Sequence, residues 1–280
     1  MIDYSEPLAG EPLTVTTADG TRLHTVSLGS GTPVVLAHGY AIDCGEWNLI
    51  GAALASRGYQ VIAFDQRGHG RSTIGHDGVS SLSMSQDYAA VLDHYDVRQG
   101  ALVAHSMGGF LAIRFLVENP ELVTRRLRAL MLVATFAGDV NRSNPQNRLQ
   151  IPLIRSGLMA RIIRNDRMGM AFAKTLLGED KNPEMARAFL STFRAQNLGA
   201  LTPILQAMVA ENRYGRLGEI DLPCTIAVGT KDRTTPPFHT TDLHSGIRGS
   251  RLVRIPGKGH MVNWEAADVL TEEIVALAAR

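Results

Sequence analysis

A serine flanked by small residues is the first feature of this 280-residue sequence that could do chemistry. Ser106 lies in the run Ala104-His105-Ser106-Met107-Gly108, after an apolar stretch and before a helical pattern. A sharp turn from strand to helix exposes a serine hydroxyl to a base, and it requires small residues two positions before and after the serine. Gly108 meets this requirement, and Ala104 departs from the usual glycine by one methyl group. The run predicts a nucleophile elbow centred on Ser106.

A serine nucleophile also needs a base, a carboxylate that orients the base, and donors for the oxyanion. Asp232 follows the apolar run Thr225 to Val228, and His260 follows the last predicted strand. Catalytic groups in such folds collect at the carboxyl ends of parallel strands. The chain order Ser, Asp, His agrees with that arrangement. Asp139 also follows a strand end and remains an alternative for the acid.

The choice of base rests on position, because the sequence contains nine histidines. His105 directly precedes the serine and is expected to point into the sheet. His260, in the loop after the last predicted strand, is therefore the favoured base.

Eight short apolar segments predict the strands of one sheet. They are Leu13 to Thr16, Leu23 to Leu28, Pro33 to Ala37, Val61 to Phe64, Ala101 to Ala104, Ala129 to Ala134, Thr225 to Val228 and Leu252 to Ile255. The first two flank Asp19-Gly20, a hairpin turn signal, and should be antiparallel. The others alternate with helical patterns, which is typical of parallel strands joined by crossovers. We expect an α/β fold with a mostly parallel eight-stranded sheet and helices on both faces.

The stretch between the sixth and seventh predicted strands is too long for a simple connection in a compact sheet. We therefore expect a helical cap at 137–220, inserted into a core formed by 1–136 and 221–280. Asn182-Pro183 and Thr202-Pro203 each look like an N-cap followed by proline at the first helical position. Met159 and Met208 in this segment suggest an apolar roof over a pocket, since thioethers adapt to irregular apolar surfaces. For any single methionine, ordinary packing between the cap and the core is the favoured explanation.

Composition excludes several classes of partner. Lys and Arg number 28 against 27 Asp and Glu, giving a net charge of +1, so no global field favours nucleic acid or an anionic bilayer. Cys44 and Cys224 show neither a disulfide framework nor metal-ligand spacing. No segment resembles a signal peptide or a membrane span, so a cytoplasmic protein is expected. No phosphate loop or dinucleotide motif appears, and we expect no cofactor and no metal.

Several blocks together resemble the α/β-hydrolase superfamily, in its capped, single-domain branch. They are His38-Gly39-Tyr40, Asp65 to Ser72, the serine elbow, Gly229 to Asp232 with Thr235-Pro236-Pro237, and Gly259-His260. The resemblance implies that Ser106 attacks a carbonyl carbon, His260 takes and returns the proton, and Asp232 orients His260. It also implies an oxyanion hole formed by the backbone N–H groups of Tyr40 and Met107, with His38 shaping the loop that carries Tyr40 rather than acting as the base. Trp47 would lie near the substrate pocket, or would instead anchor the first helix to the core.

The resemblance implies a serine esterase acting on a small to medium, largely apolar carboxylic ester, lactone or thioester. The same residues would also suit carbon–carbon bond hydrolysis, acyl transfer, cyanohydrin cleavage or cofactor-free perhydrolysis. A ligand sensor that retains the triad is a third hypothesis. Epoxide hydrolases and haloalkane dehalogenases are excluded because they use an aspartate where this chain has Ser106. The sequence leaves a monomer and a homodimer equally open.

Overall fold

The computed structural model describes residues 3–142 and 152–279, and its centre is one eight-stranded sheet. The strands are β1 (Glu11–Thr16), β2 (Arg22–Leu28), β3 (Thr32–Ala37), β4 (Tyr59–Phe64), β5 (Gly100–His105), β6 (Leu127–Val133), β7 (Cys224–Gly229) and β8 (Arg251–Ile255). Their order across the sheet is β1-β2-β4-β3-β5-β6-β7-β8. β2 pairs antiparallel with β1 and β4, and every other pairing is parallel. The predicted α/β fold with a mostly parallel sheet is confirmed.

Helices follow most strands of the sheet. In the described chain they span Asn48–Ala55, Ser81–His94, Met107–Glu118, Pro120–Arg126, Leu158–Arg164, Asp166–Thr175, Pro183–Ala195, Thr202–Ala210, Pro237–Gly246, Val262–Glu265 and Ala267–Ala278. Two 3-10 turns span Cys44–Trp47 and Tyr214–Glu219. None of the helices in the described residues is long and apolar enough to cross a membrane.

The central strand β5 shows why the sheet is covered on both faces. Its side chains alternate between two buried clusters, with Leu102 in one and Val103 in the other. Successive side chains of a strand point to opposite faces. Phe110 of helix Met107–Glu118 belongs to the first cluster, and Leu270 of helix Ala267–Ala278 belongs to the second. A strand buried on both faces reads as a continuous apolar run, which is why β5 was recognisable in the sequence.

The segment between β6 and β7 contains four of these helices, from Leu158 to Ala210. The Asn182 side chain caps helix Pro183–Ala195 by accepting from Glu184 and Met185 N–H, as predicted. The expectation for Thr202 was wrong: Thr202 lies inside its helix, whose N-cap is Leu201, and its hydroxyl donates to Leu198 O. Residues 143–151 of the expected insertion lie outside the described residues.

Two helix boundaries also differ from the sequence expectation. The helix expected from Met84 begins at Ser81, because Ser80 and Ser83 form a reciprocal capping box. The helix expected over 262–279 is interrupted at Ala266, which has a φ of −146°. The short first part places Glu265 beside the loop that carries His260, as described below.

Candidate active site

The turn at Ser106 has the strained geometry that an exposed serine requires. Ser106 joins β5 to helix Met107–Glu118 with φ +52° and ψ −117°, a region that non-glycine residues rarely adopt. A Cβ on Gly108 would lie 2.7 Å from the carbonyl oxygens of Ala37 and His38. Glycine is therefore required two residues after the serine. The methyl group of Ala104 is fully buried in the core, so the departure before the serine is accommodated.

Three side chains predicted from distant parts of the sequence form one hydrogen-bonded chain. Ser106 Oγ lies 3.0 Å from His260 Nε2, and His260 Nδ1 lies 2.9 Å from Asp232 Oδ2. Their exposed fractions are 7%, 6% and 4%. Because a carboxylate accepts, Nδ1 carries the ring proton and Nε2 is left to accept from the serine hydroxyl. This arrangement can remove the proton from Ser106 as the hydroxyl attacks a carbonyl carbon.

The Asp232 carboxylate is held by more than the histidine. Oδ1 accepts from the N–H groups of Thr234 and Thr235 at 2.8 and 2.9 Å. The Thr235 hydroxyl lies 2.9 Å from Oδ2 and 3.2 Å from His260 Nδ1. Sequence reasoning missed this contact, although the Asp-x-x-Thr spacing could have indicated it. Asp139, the alternative acid, instead bonds through its backbone to Glu211 and Arg142.

The loop of His260 is fastened to the segment that follows helix Asp166–Thr175. His260 N–H donates to Leu176 O at 2.7 Å. The Glu265 carboxylate accepts from Gly178 N–H at 2.8 Å and from Gly259 N–H at 2.7 Å. Burial raises the pKa of Glu265, an effect that the two N–H groups oppose. The position of His260 therefore depends on contacts from the chain between β6 and β7 as well as from the sheet.

The backbone at Gly39 and Tyr40 is oriented by His38. His38 Nδ1 lies 2.7 Å from Gly39 O, and Gln66 N–H donates to His38 Nε2 at 2.8 Å. Burial and the neighbouring His69 hold the pKa of His38 well below its usual value, so the ring is neutral and Nδ1 donates. Because the peptide bond is trans, the Tyr40 N–H points away from Gly39 O. This fits the expectation that His38 shapes the oxyanion loop.

The second expected oxyanion donor lies at a helix start. Met107 is the first residue of its helix, and the first N–H groups of a helix have no intrahelical partner. The helix dipole adds partial positive charge at this end. The two expected donors thus lie in the loop after β3 and at the start of this helix.

An apolar cavity opens on Ser106. It is lined by Gly39, Tyr40, Ile42, Ser106, Phe136 and His260, among others. Residues 137–220, between β6 and β7, contribute Val140, Asn141, Ile154, Met159, Phe172, Leu176, Phe189, Phe193, Leu205 and Met208. Met159 and Met208 lie where the sequence placed them. Trp47 does not line the cavity: it is fully buried, with its ring edge-on to His105 at 6.4 Å between centroids. The expectation for Trp47 as a substrate-binding residue was wrong, because it packs in the core beneath the first helix.

One group in the described part of the chain could approach a metal ion. The ligand atoms of His24, Cys44 and Asp65 lie within 4.8 Å of one another. The Asp65 oxygens already accept from the N–H groups of Cys44 and Arg71, both at 2.8 Å. Burial raises the pKa of the Cys44 thiol well above its ordinary value, so it is held as the neutral thiol. These bonds identify the group as part of the scaffold of its loops.

Comparison with known families agrees with this geometry. The sequence model of the family described as alpha/beta hydrolase fold matches residues 32–267. A putative non-heme chloroperoxidase from a Synechocystis species is 28% identical over 250 residues, which cover 86% of this chain and 89% of the relative. A non-heme haloperoxidase from Rhodococcus erythropolis is 26% identical over 273 residues, covering 94% and 97%.

Solved structures share the fold at lower identity. A bromoperoxidase from Bacillus anthracis superposes with a TM-score of 0.84 at 20% identity, covering 96% of this chain and all of that one. An esterase from Exiguobacterium antarcticum superposes with a TM-score of 0.83 at 22% identity and the same coverage. At such identity the likeness establishes the fold alone.

Proposed function

The chain belongs to the α/β-hydrolase family, and on that premise we propose that it is a serine hydrolase. Its substrate is a small to medium, largely apolar carboxylic ester, or a lactone or thioester. The observation that carries this proposal is the hydrogen-bonded chain from Ser106 through His260 to Asp232, opening into an apolar cavity. That combination supports attack on an acyl carbon whose substituent is apolar.

In the proposed mechanism, Ser106 Oγ forms a bond to the carbonyl carbon while His260 Nε2 takes the hydroxyl proton. The oxyanion of the tetrahedral intermediate is stabilised by the N–H groups of Tyr40 and Met107. His260 then returns the proton to the leaving alcohol, and the acyl group stays on Ser106. Water attacks the acyl-enzyme with His260 as base, which releases the acid and restores the serine.

The segment 137–220 is proposed to act as a cap over this reaction. Ten of the residues that line the cavity come from it, and five of them are aromatic or methionine side chains: Met159, Phe172, Phe189, Phe193 and Met208. Excluding water strengthens the electrostatic interactions in a site and favours apolar acyl groups. The cap would therefore decide which acyl chains enter.

A substitution of the nucleophile tests the proposal. We expect Ser106→Ala to fold and to lose turnover of p-nitrophenyl esters by a factor on the order of 10⁶, the effect of removing a triad nucleophile. The wild-type enzyme should be labelled by a fluorophosphonate, and the variant should not. Ser56→Ala, at an exposed position, is the matched control and should behave as wild type. Unchanged turnover in Ser106→Ala would contradict the proposal.

Perhydrolysis is the second candidate, because two curated relatives carry the name of haloperoxidase or chloroperoxidase. Hydrogen peroxide would replace water as the nucleophile toward the acyl-enzyme, giving a peracid and the free serine. Adding hydrogen peroxide to the ester assay distinguishes the two. Peracid formed in competition with the carboxylic acid favours perhydrolysis, and carboxylic acid alone favours the esterase.

A further inference from the structure

A second buried pair of imidazole and carboxylate lies beside the proposed triad and takes no part in its chemistry. Glu46 Oε2 lies 3.0 Å from His105 Nδ1, and each side chain is 1% exposed. Glu46 belongs to the 3-10 turn Cys44–Trp47, and His105 is the last residue of β5, directly before Ser106. A buried pair costs desolvation and is weak evidence for stability by itself. The role of this pair must therefore be inferred from its hydrogen-bond partners.

The partners assign the protons of the pair. His105 Nε2 lies 3.1 Å from the backbone oxygen of His260, and a carbonyl oxygen only accepts, so Nε2 donates. Nδ1 faces the Glu46 carboxylate. Burial lowers the pKa of His105, but Glu46, the backbone of His260 and Asp232 together outweigh this effect, and the pKa is raised overall. A carboxylate at Nδ1 and a carbonyl oxygen at Nε2 both accept, so the contacts fit a ring that donates from both nitrogens.

The pair also joins the three segments that carry the reaction. Glu46 Oε1 accepts from Gly39 N–H at 3.1 Å, one residue before the expected oxyanion donor Tyr40. His105 is covalently joined to Ser106 and donates to the backbone of His260. Asn263 Nδ2 donates to the backbone oxygen of Glu46 at 3.0 Å, which adds a second link to the His260 segment.

We propose that Glu46 and His105 are positioning residues, which hold the oxyanion backbone, the nucleophile and the base in register through these hydrogen bonds. The proposal rests on the proposed serine hydrolase function. Acyl transfer needs Ser106 Oγ, His260 Nε2 and the oxyanion donors at fixed separations. A misplacement of about 1 Å costs on the order of 100-fold in rate, even when the responsible residue does not touch the substrate.

Two substitutions of Glu46 separate the hydrogen bonds from the charge. In Glu46→Ala both side-chain bonds are lost. In Glu46→Gln the Gly39 N–H keeps the amide oxygen in the place of Oε1 and turns the amide nitrogen toward His105 Nδ1. A neutral His105 then accepts at Nδ1 and still donates from Nε2 to His260, so every link survives without the charges.

The expected result is a split between kcat and KM that the glutamine rescues. Glu46→Ala should lower kcat for a p-nitrophenyl ester by about 100-fold and slow fluorophosphonate labelling equally, with KM within about threefold of wild type. Glu46→Gln should stay within about tenfold of wild type. Nitrogen NMR of the His105 ring should show two N–H groups in the wild type at neutral pH and one in Glu46→Gln. Wild-type kcat in folded Glu46→Ala overturns the proposal, as does Glu46→Gln being as slow as Glu46→Ala.

A second variant decides the matter if Glu46→Ala does not fold. In His105→Asn the amide nitrogen takes the place of Nδ1 and keeps Glu46 paired, but no atom reaches the carbonyl of His260. We expect kcat to fall about tenfold. Wild-type kcat in this variant also overturns the proposal.

Asp87→Asn is the matched control for loss of a buried carboxylate. Asp87 pairs with Arg67 at 2.7 Å, and both side chains are nearly inaccessible. This variant should lower Tm while leaving kcat within about twofold of wild type. Failure of the proposed function itself has a different signature, because the wild-type enzyme would then show neither ester turnover nor labelling, whereas the protonation of His105 can be read without either.

Discussion

Two imidazole-carboxylate pairs lie side by side in this molecule, and only one of them faces a hydroxyl. The rings of His260 and His105 are 4.9 Å apart between centroids, and each Nδ1 lies about 3 Å from a carboxylate, Asp232 or Glu46. The Nε2 of His260 meets the Ser106 hydroxyl, whereas the Nε2 of His105 meets a carbonyl oxygen. A hydroxyl can donate and a carbonyl cannot, so the first ring can act as a base and the second must keep its proton. The partner of the distal nitrogen thus decides what each pair can do.

The comparison predicts opposite outcomes for the same chemical change. In Asp232→Asn, the N–H groups of Thr234 and Thr235 hold the amide oxygen in the place of Oδ1. The amide nitrogen then faces His260 Nδ1 and donates to it, which moves the ring proton to Nε2. That nitrogen can no longer accept from Ser106. Glu46→Gln also leaves Nδ1 of His105 without a proton, but Nε2 of that ring keeps the proton that it already donates to the backbone oxygen of His260.

We therefore expect Asp232→Asn to lower kcat by a factor on the order of 10⁴, the largest effect among these comparisons. Steady-state hydrolysis of a p-nitrophenyl ester measures it, with circular dichroism as the check on folding. Glu46→Gln assayed in parallel is the matched amide control. If kcat falls less than tenfold in Asp232→Asn, then the position of the proton on the His260 ring is not what separates the two pairs.

A smaller effect is expected from the group that touches both members of the reactive pair. The Thr235 hydroxyl lies within hydrogen-bond distance of Asp232 Oδ2 and His260 Nδ1, and also donates to Ala134 O at 2.7 Å. Thr235→Val keeps the shape but removes these contacts, and we expect kcat to fall by about tenfold. Thr235→Ser retains the hydroxyl and should recover most of the rate. Equal kcat values in the valine and serine variants would show that the Thr235 hydroxyl does not contribute to the reaction.

The residues of the two pairs also differ in whether the sequence could predict that they come together. Ser106, Asp232 and His260 each follow an apolar strand, and strand ends meet at one edge of a parallel sheet. The eight strands, the hairpin and the Asn182 cap could be predicted because periodicity and capping are signals within short stretches of sequence. The acid was narrowed to Asp232 or Asp139, and the geometry brings only Asp232 to His260.

Contacts between residues that are far apart in the sequence leave no pattern of periodicity or capping from which they could be predicted. Glu46 and His105 are separated by 59 positions, and no local spacing links them. Trp47 was placed near the pocket by its position after the oxyanion loop, but the 3-10 turn directs it into the core. The N-cap prediction for Thr202 was wrong because the helix begins at Thr202 and not at Pro203, which places Leu201 in the N-cap position.

The last comparison is with His239, a buried histidine that has no hydrogen bond or ion pair to a carboxylate among the residues that the structure describes. His239 is fully buried, its Nδ1 lies 2.6 Å from Tyr214 Oη, and burial, reinforced by Arg142, lowers its pKa to about 4. In the unfolded chain the pKa returns to about 6.5. As the pH falls below 6.5, His239 becomes protonated in the unfolded chain, but in the folded protein it is protonated only near pH 4. Acid therefore lowers the stability of the fold through this residue.

His239→Gln removes this linkage while retaining a group that can bond Tyr214. Between pH 7.5 and 5.0, its free energy of unfolding should fall by roughly 2 kcal/mol less than that of the wild type. Urea unfolding at the two pH values measures the difference. His244→Gln is the matched control, because His244 is exposed on the same helix. A wild-type pH dependence in His239→Gln would mean that this ring gains its proton in the folded state. A carboxylate contact such as that of His105 would then not be needed for a buried imidazole to stay charged.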